Sequence, residues 1–189
     1  MGTAYNVISG VGNLYIGAFG ATEPADSAVN TTPAASAWTN LGFTNDGVTV
    51  NVNQDLLSKT VDQVADIIGR AMTQRDVQVV TNLAEATLEN LAYVLNSGTI
   101  ATGTGFKTYD PVYDGSELVP TYRAVLFDGY APQSSALVNK KRRFILRKTL
   151  SIDNVGVPYK KDAITLYPVT WGIHYVSSVI SPFHIVDET

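Results

Sequence analysis

Immediately after Asp46-Gly47, the chain alternates: Val48, Val50 and Val52 take the even positions and Thr49, Asn51 and Asn53 the odd ones. A helix turning every 3.6 residues would scatter those valines around its surface, whereas a strand puts them all on one face. The run is therefore a half-buried strand, and it demands other strands beside it and a core beneath it. Comparable runs recur at 11–18 (VGNLYIGA), 76–81, 121–130, 140–152 and 163–176. Weaker ones at 56–65 and 67–74 read as strands, with a short helix as the alternative. Asn45-Asp46-Gly47 supplies turn chemistry before the alternating run. Pro168 inside 163–176 implies an edge or a break, since proline cannot donate to a ladder.

Composition agrees. Only 16% of the residues are charged, while Tyr, with 10 copies, and Thr, Val, Asn and Gly are plentiful. That mixture favours strands and turns. A single helix is predicted over 83–96, with Asn82 as its cap, Glu85 completing a capping box, and Ala84, Leu88, Leu91, Ala92 and Leu95 as its apolar stripe. Asn96-Ser97-Gly98 stops it, with Gly98 near the C′ position. The expected fold is mainly β: a β-sandwich or partly closed barrel with one flanking α-helix, forming a single domain over 1–189. Residues 20–37, rich in Ala, Ser, Thr and Pro, lack any period that buries a face. They read as a mobile surface loop or as an arm that orders against a neighbouring copy. Residues 177–189 read as a loose C-terminal extension.

The chain has no cysteine, which removes disulfides, thiol catalysis and cysteine-ligated metals. Its net charge of −4 is opposite to that of a protein that grips nucleic acid. No basic segment precedes Glu23, so no signal peptide is expected, and no apolar run approaches the ~18 residues of a spanning helix. Gly10-Val11-Gly12 and Gly103-Thr104-Gly105 lack the context of a phosphate loop. His174 and His184, the two histidines, lack a second His at ligand spacing. Asp110, Asp114 and Glu117 lie close together but without calcium-loop spacing, and a turn at Pro111 and Gly115 explains them. No catalytic, cofactor or metal site is expected.

Charge is unevenly distributed. Residues 1–58 hold Glu23, Asp26, Asp46 and Asp55 and no Lys or Arg, whereas Lys140, Lys141, Arg142, Arg143, Arg147, Lys148, Lys160 and Lys161 fall within 140–161. Three readings stand: a DNA-binding stripe, a solvated strand end, or complementarity between an acidic surface of one copy and a basic one of the next. The first is disfavoured because the cations alternate between both strand faces without an aromatic platform. The third makes Lys140, Lys141, Arg142, Arg143, Arg147 and Lys148 a candidate inter-subunit basic surface.

Four stretches, in order, resemble those of bacteriophage major tail (tail tube) proteins. Leu41-Gly42-Phe43-Thr44-Asn45-Asp46-Gly47-Val48 is similar to their early G-x-T-x-x-G-V turn and strand. Thr81 to Leu91 resembles their single-helix segment with its preceding strand. Arg142 to Thr149 and the Tyr159 to Pro168 strand resemble their C-terminal sheet. The likeness covers roughly 38–175. It implies a β-sandwich with a flanking helix whose copies form hexameric rings stacked into the hollow tube of a long-tailed phage. The same fold also serves contractile tails and type VI secretion, and a non-contractile tail is the favoured expectation. It also implies tail tip, tape measure and tail terminator proteins as partners, double-stranded DNA passing through without specific binding, no membrane partner, synthesis in the bacterial host cytoplasm and a final place in the virion. A duplex conduit is best lined by neutral or acidic groups, so Thr49, Asn51 and Asn53 are candidate lumen-facing residues. Two other readings remain: a soluble β-sandwich binding or adhesin module using Tyr109, Tyr113, Tyr122 and Tyr130, and a hydrolase using Asp110 and Asp114.

Overall fold

A computed structural model describes residues 4–112, 120–133 and 138–189. The described residues form ten strands and one α-helix: β1 (Asn13–Ala18), β2 (Trp38–Asn40), β3 (Thr44–Val61), β4 (Val64–Leu83), α1 (Leu88–Val94), β5 (Thr99–Gly103), β6 (Phe106–Asp110), β7 (Arg123–Ala131), β8 (Lys140–Ser151), β9 (Tyr167–Ile173) and β10 (Phe183–Asp187). The mainly β fold is as expected. Strand order is β2-β1-β7-β8-β9-β4-β3, all antiparallel, and β10 also pairs with β8. β5 and β6 form a separate hairpin.

β8 is the strand on which the sheet turns. Its residues Arg142 to Leu146 pair with β10, and Thr149 to Ser151 pair with β9. The sheet thus folds into two layers, β2-β1-β7-β8-β10 and β8-β9-β4-β3, over one core. Leu14 and Ile16 of β1, Val125 of β7 and Leu146 of β8 meet Val79 and Leu83 of β4 and Tyr167, Val169 and Trp171 of β9 there. Val94 and Leu91 of α1 join them from one side. Each fully buried aliphatic side chain of this kind contributes about 1.5–3 kcal/mol.

The first layer is covered on both faces. Tyr15, Trp38, Ala124, Leu126 and Ile145 form a second cluster on its other side, and Ala21 and Ala37 pack over it. The 20–37 segment therefore lies on its own chain's sheet. Trp38 Nε1 donates to the Thr22 carbonyl at 2.9 Å, and Val29 is buried. Covering a sheet requires apolar contacts and backbone hydrogen bonds but no regular period, so the composition of this segment did not show its role.

Several elements differ from expectation. β3 and β4, 18 and 20 residues long, form one continuous hairpin where shorter pieces were expected. Asn45-Asp46-Gly47 is a bulge inside β3 rather than a turn, with Asp46 at φ 63° and Gly47 at φ 73°. A second bulge places Thr73 outside the ladder, between the Asp55–Gln74 and Leu56–Met72 pairs. The one extra residue at Thr73 switches the parity of β4, while the two extra residues at Asp46-Gly47 interrupt the alternation of β3 without changing its parity, so the period breaks although the strands continue.

The helix begins at Leu88, because β4 holds its pairing with β9 as far as Leu83. Thr87, not Asn82, is the cap, its Oγ1 accepting from Asn90 N–H at 3.1 Å. Glu85 instead accepts from Phe43 N–H at 3.1 Å. It lies against Gly42, whose φ of +80° suits glycine. Asn90 and Val94 are the buried helical residues, while Leu95 is exposed. Asn96, at φ 62°, takes the left-handed position that ends the helix, ahead of Gly98.

β9 starts at Tyr167, so most of the Tyr159 to Pro168 stretch precedes the strand. Pro168 pairs with Asn82 of β4 at a point beyond the β8 ladder, where its missing N–H costs no cross-strand bond. Within the expected loose extension, Phe183–Asp187 forms a strand on β8.

Candidate assembly surfaces

Val48 and Val50 point into the core, which leaves Thr49, Asn51 and Asn53 on the outer face of the second layer. Across the sheet the rows read Thr49–Val80–Thr170, Asn51–Gln78–Gly172 and Asn53–Asp76. They carry one carboxylate and no cation. Gln78 Nε2 donates to Asp76 Oδ2 at 2.6 Å, and this ties down the one charged group. The three candidate lumen residues thus belong to one cation-free, hydrogen-bonding surface. β3 ends the strand order, so its outer backbone edge has no strand beside it among the described residues.

All six candidate basic residues lie on β8, but the sheet sends them to different partners. Arg143 is 1% exposed and belongs to no surface. Its guanidinium donates to both Asp128 oxygens, at 2.6 and 2.7 Å, and to the carbonyls of Ala28 and Thr31 at 3.2 and 2.7 Å. Arg147 donates to Glu23 at 2.5 and 2.9 Å and to Ser181. Arg142 forms a bidentate pair with Asp187, and Lys140 lies 3.6 Å from Glu188. Lys141 stacks over Tyr130 at 4.3 Å, and Lys148 over Tyr122 at 4.4 Å. Much of the charge asymmetry of the sequence is thus satisfied within one copy. Glu23 clamps the 20–37 segment to β8, and Asp187 and Glu188 clamp β10.

Electrostatics follow these contacts. The hydrogen bond from Arg142 holds the Asp187 carboxyl below its ordinary range, and Asp187 in turn raises Arg142. Glu23 raises Arg147. Burial, with the Asp128 charge behind it, raises the Tyr15 hydroxyl.

The tyrosines of the binding-module reading are dispersed. Tyr109 donates to the Ser97 carbonyl at 2.8 Å, Tyr122 packs edge-on to His174, and Tyr130 carries Lys141. Tyr113 lies outside the described residues, as do Asp114, Gly115 and Glu117. Asp110 closes the β5–β6 ladder opposite Thr99. His184 meets Asp26 at 3.1 Å.

The sequence did not flag the outer half of the β3–β4 hairpin. From about Val52 to Arg75 it stands clear of the two layers, with Leu57 58% and Ile68 57% exposed. Leu56 pairs with Met72 on one face and Leu57 with Ala71 on the other, so each face carries apolar side chains, beside Arg70 on the first and Lys59 on the second. A ribbon that exposes large apolar side chains on both sides buries neither within its own chain, and such surfaces mark contacts with other molecules. Its signal was present in the adjacent apolar pairs Leu56-Leu57 and Ile67-Ile68. Beside the ribbon's base runs a strap at 174–182, with Val179 88% exposed. Grooves of about 520 Å³ and 360 Å³ flank it and share Ile180.

A family model described as phage tail tube protein matches residues 3–149. The match takes in the 20–37 segment, the full hairpin, the helix and Arg142 to Thr149, while Tyr159 to Pro168 lies beyond it. No curated protein matches the chain.

Proposed function

The chain belongs to the phage tail tube protein family, and from that premise we propose that its copies join into hexameric rings stacked as the conduit for genome ejection in a long, non-contractile tail. Family membership carries self-assembly into a tube and a place in the virion. The finer reading takes tail tip, tape measure and tail terminator proteins as partners. It places synthesis in the bacterial host cytoplasm and contact with no membrane. No helix among the described residues is long and apolar enough to cross one.

The observation that carries the reading is the second layer. It ends in a long strand whose edge has no strand beside it among the described residues, and the rows of its outer face carry no cation. Edges of this kind pair with another chain, and a closed ring satisfies every one of them. With rings closed through this layer, Thr49, Asn51 and Asn53 line the bore. A wall of amides and hydroxyls with a single carboxylate per row set offers phosphates no cation to bind, so the duplex slides. Lys141 and Lys148, which have no carboxylate partner among the described residues, are what β8 offers to the next copy.

Negative-stain electron microscopy of the purified chain across a concentration series tests the proposal. Rings or hollow tubes are expected, either spontaneously or on addition of isolated tail tips. A persistent monomer that also fails to extend tubes on tail tips overturns it in favour of a soluble binding module.

A further inference from the structure

We propose that the larger groove beside the 174–182 strap receives the tip of a second copy's β3–β4 hairpin, with Arg75 pairing with the tip carboxylates Asp62 and Asp66. The inference rests on the tube reading and deepens it by naming both halves of one contact.

The groove is preformed. Val77, Ile173, Val179 and Pro182 make apolar walls, and Arg75 stands at the base of the hairpin as the cationic lining residue. The strap is fixed along its length. Ser177 Oγ accepts from Ile180 N–H at 3.1 Å, and Ser181 Oγ accepts from Arg147 and donates to the Phe183 carbonyl at 2.8 Å. The Arg75 guanidinium lies 5.4 Å from the centre of the Phe183 ring, and it meets no carboxylate among the described residues. An arginine oriented by a ring face, with its donor fork unfilled, is suited to a carboxylate.

The hairpin tip offers the complement. Val61-Asp62-Gln63-Val64-Ala65-Asp66 has apolar side chains, two carboxylates and no cation. The tip does not reach the groove of its own copy. Arg75 lies eleven positions beyond Val64, which at the rise of a strand is about 35 Å of extended ribbon. The smaller groove on the other side of the strap is the weaker receptor. Its cation, Arg147, is already paired with Glu23, so it offers an acidic tip no charge. Burying the tip also covers two apolar surfaces that each copy leaves in water, one on the hairpin and one on the strap.

The absence of native cysteine allows a direct test. Two variants, Asp62→Cys and Ser178→Cys, are purified separately, mixed, assembled and treated with a short bismaleimide. A cross-linked dimer is expected only from the assembled mixture, not from either variant alone or from the dilute mixture. In a second experiment Arg75→Glu should lose tube formation, and adding Asp62→Lys and Asp66→Lys to it should restore tubes. Arg75 is exposed, so its replacement spares the core, and circular dichroism of the monomer verifies folding. If wild-type tubes form but the mixture gives no cross-linked dimer, or if Arg75→Glu assembles as well as wild type, the groove assignment is overturned and the tube reading stands. If wild type builds no tubes even on tail tips, the tube reading fails and takes this contact with it.

Discussion

Arg143 and Asp128, neighbours across the β7–β8 ladder, form a bidentate pair whose arginine side chain is 2% exposed and whose aspartate side chain is 12% exposed. The same guanidinium holds the carbonyls of Ala28 and Thr31. One side chain therefore joins two strands to the segment that covers them. Asp128→Asn leaves a buried cation unpaired and should destabilise the monomer by about 3–5 kcal/mol in urea unfolding. Replacing both partners with apolar residues should recover only part of the loss, because the two loop carbonyls stay without donors.

The Arg142–Asp187 pair makes β10 sensitive to acid. The Asp187 carboxyl titrates below its ordinary value of 3.8, so the folded state binds its proton less readily than the unfolded chain does. The stabilisation is complete above that ordinary value and is lost as pH falls through the lower, folded one. Hydrogen-exchange protection at 183–187, corrected for intrinsic rates, should hold at neutral pH and fall below pH 3.8. In Asp187→Asn it should be reduced already at neutral pH, with little further dependence. Equal protection in the two proteins would show that the pair does not hold the strand.

Thr87 Oγ1 supplies the helix cap, and Thr87→Ala should cost about 0.5–2 kcal/mol of stability in denaturant unfolding. Asn82→Ala, at the site the sequence favoured for the cap, should leave the amide exchange of α1 unchanged.

A cation on this cation-free face should turn a passive wall into one that holds phosphates. Particles assembled with Asn51→Lys should eject DNA more slowly than wild type at low salt, and raising the salt should remove the difference. An ejection rate indifferent to the substitution at every salt concentration would place Asn51 away from the bore.

What the sequence showed and what it hid separate along physical lines. Val48 and Val50 announced β3 because their face meets a core and the other meets solvent, while Val52, 49% exposed, already lies past the edge of that core. β1 and β7 gave weaker alternation, since the 20–37 segment buries their second face. The continuity of β3 and β4 was hidden by bulges, since Asp46-Gly47 interrupts the alternation and Thr73 resets its parity. The capping box at Asn82 and Glu85 failed because pairing across β9 outweighed a local preference. The basic cluster could be read as charge but not as contacts. Glu23 lies 124 positions from Arg147, and no local pattern links them. Arg75 carried no motif at all, and only the fold sets it beside the strap.

The Thr73 bulge lies just beyond the point where the hairpin leaves the two layers, and Thr73 Oγ1 donates to the Asp55 carbonyl at 3.1 Å across it. Beyond that point two strands are held chiefly by each other, with little else to stiffen them. The bulge is therefore a joint. In a stack whose successive units are linked by such ribbons, the joints act as springs in series. Each gives a little, and their angular compliances add along the length. A long assembly can then curve smoothly while every two-layer body stays rigid and its bore keeps its width.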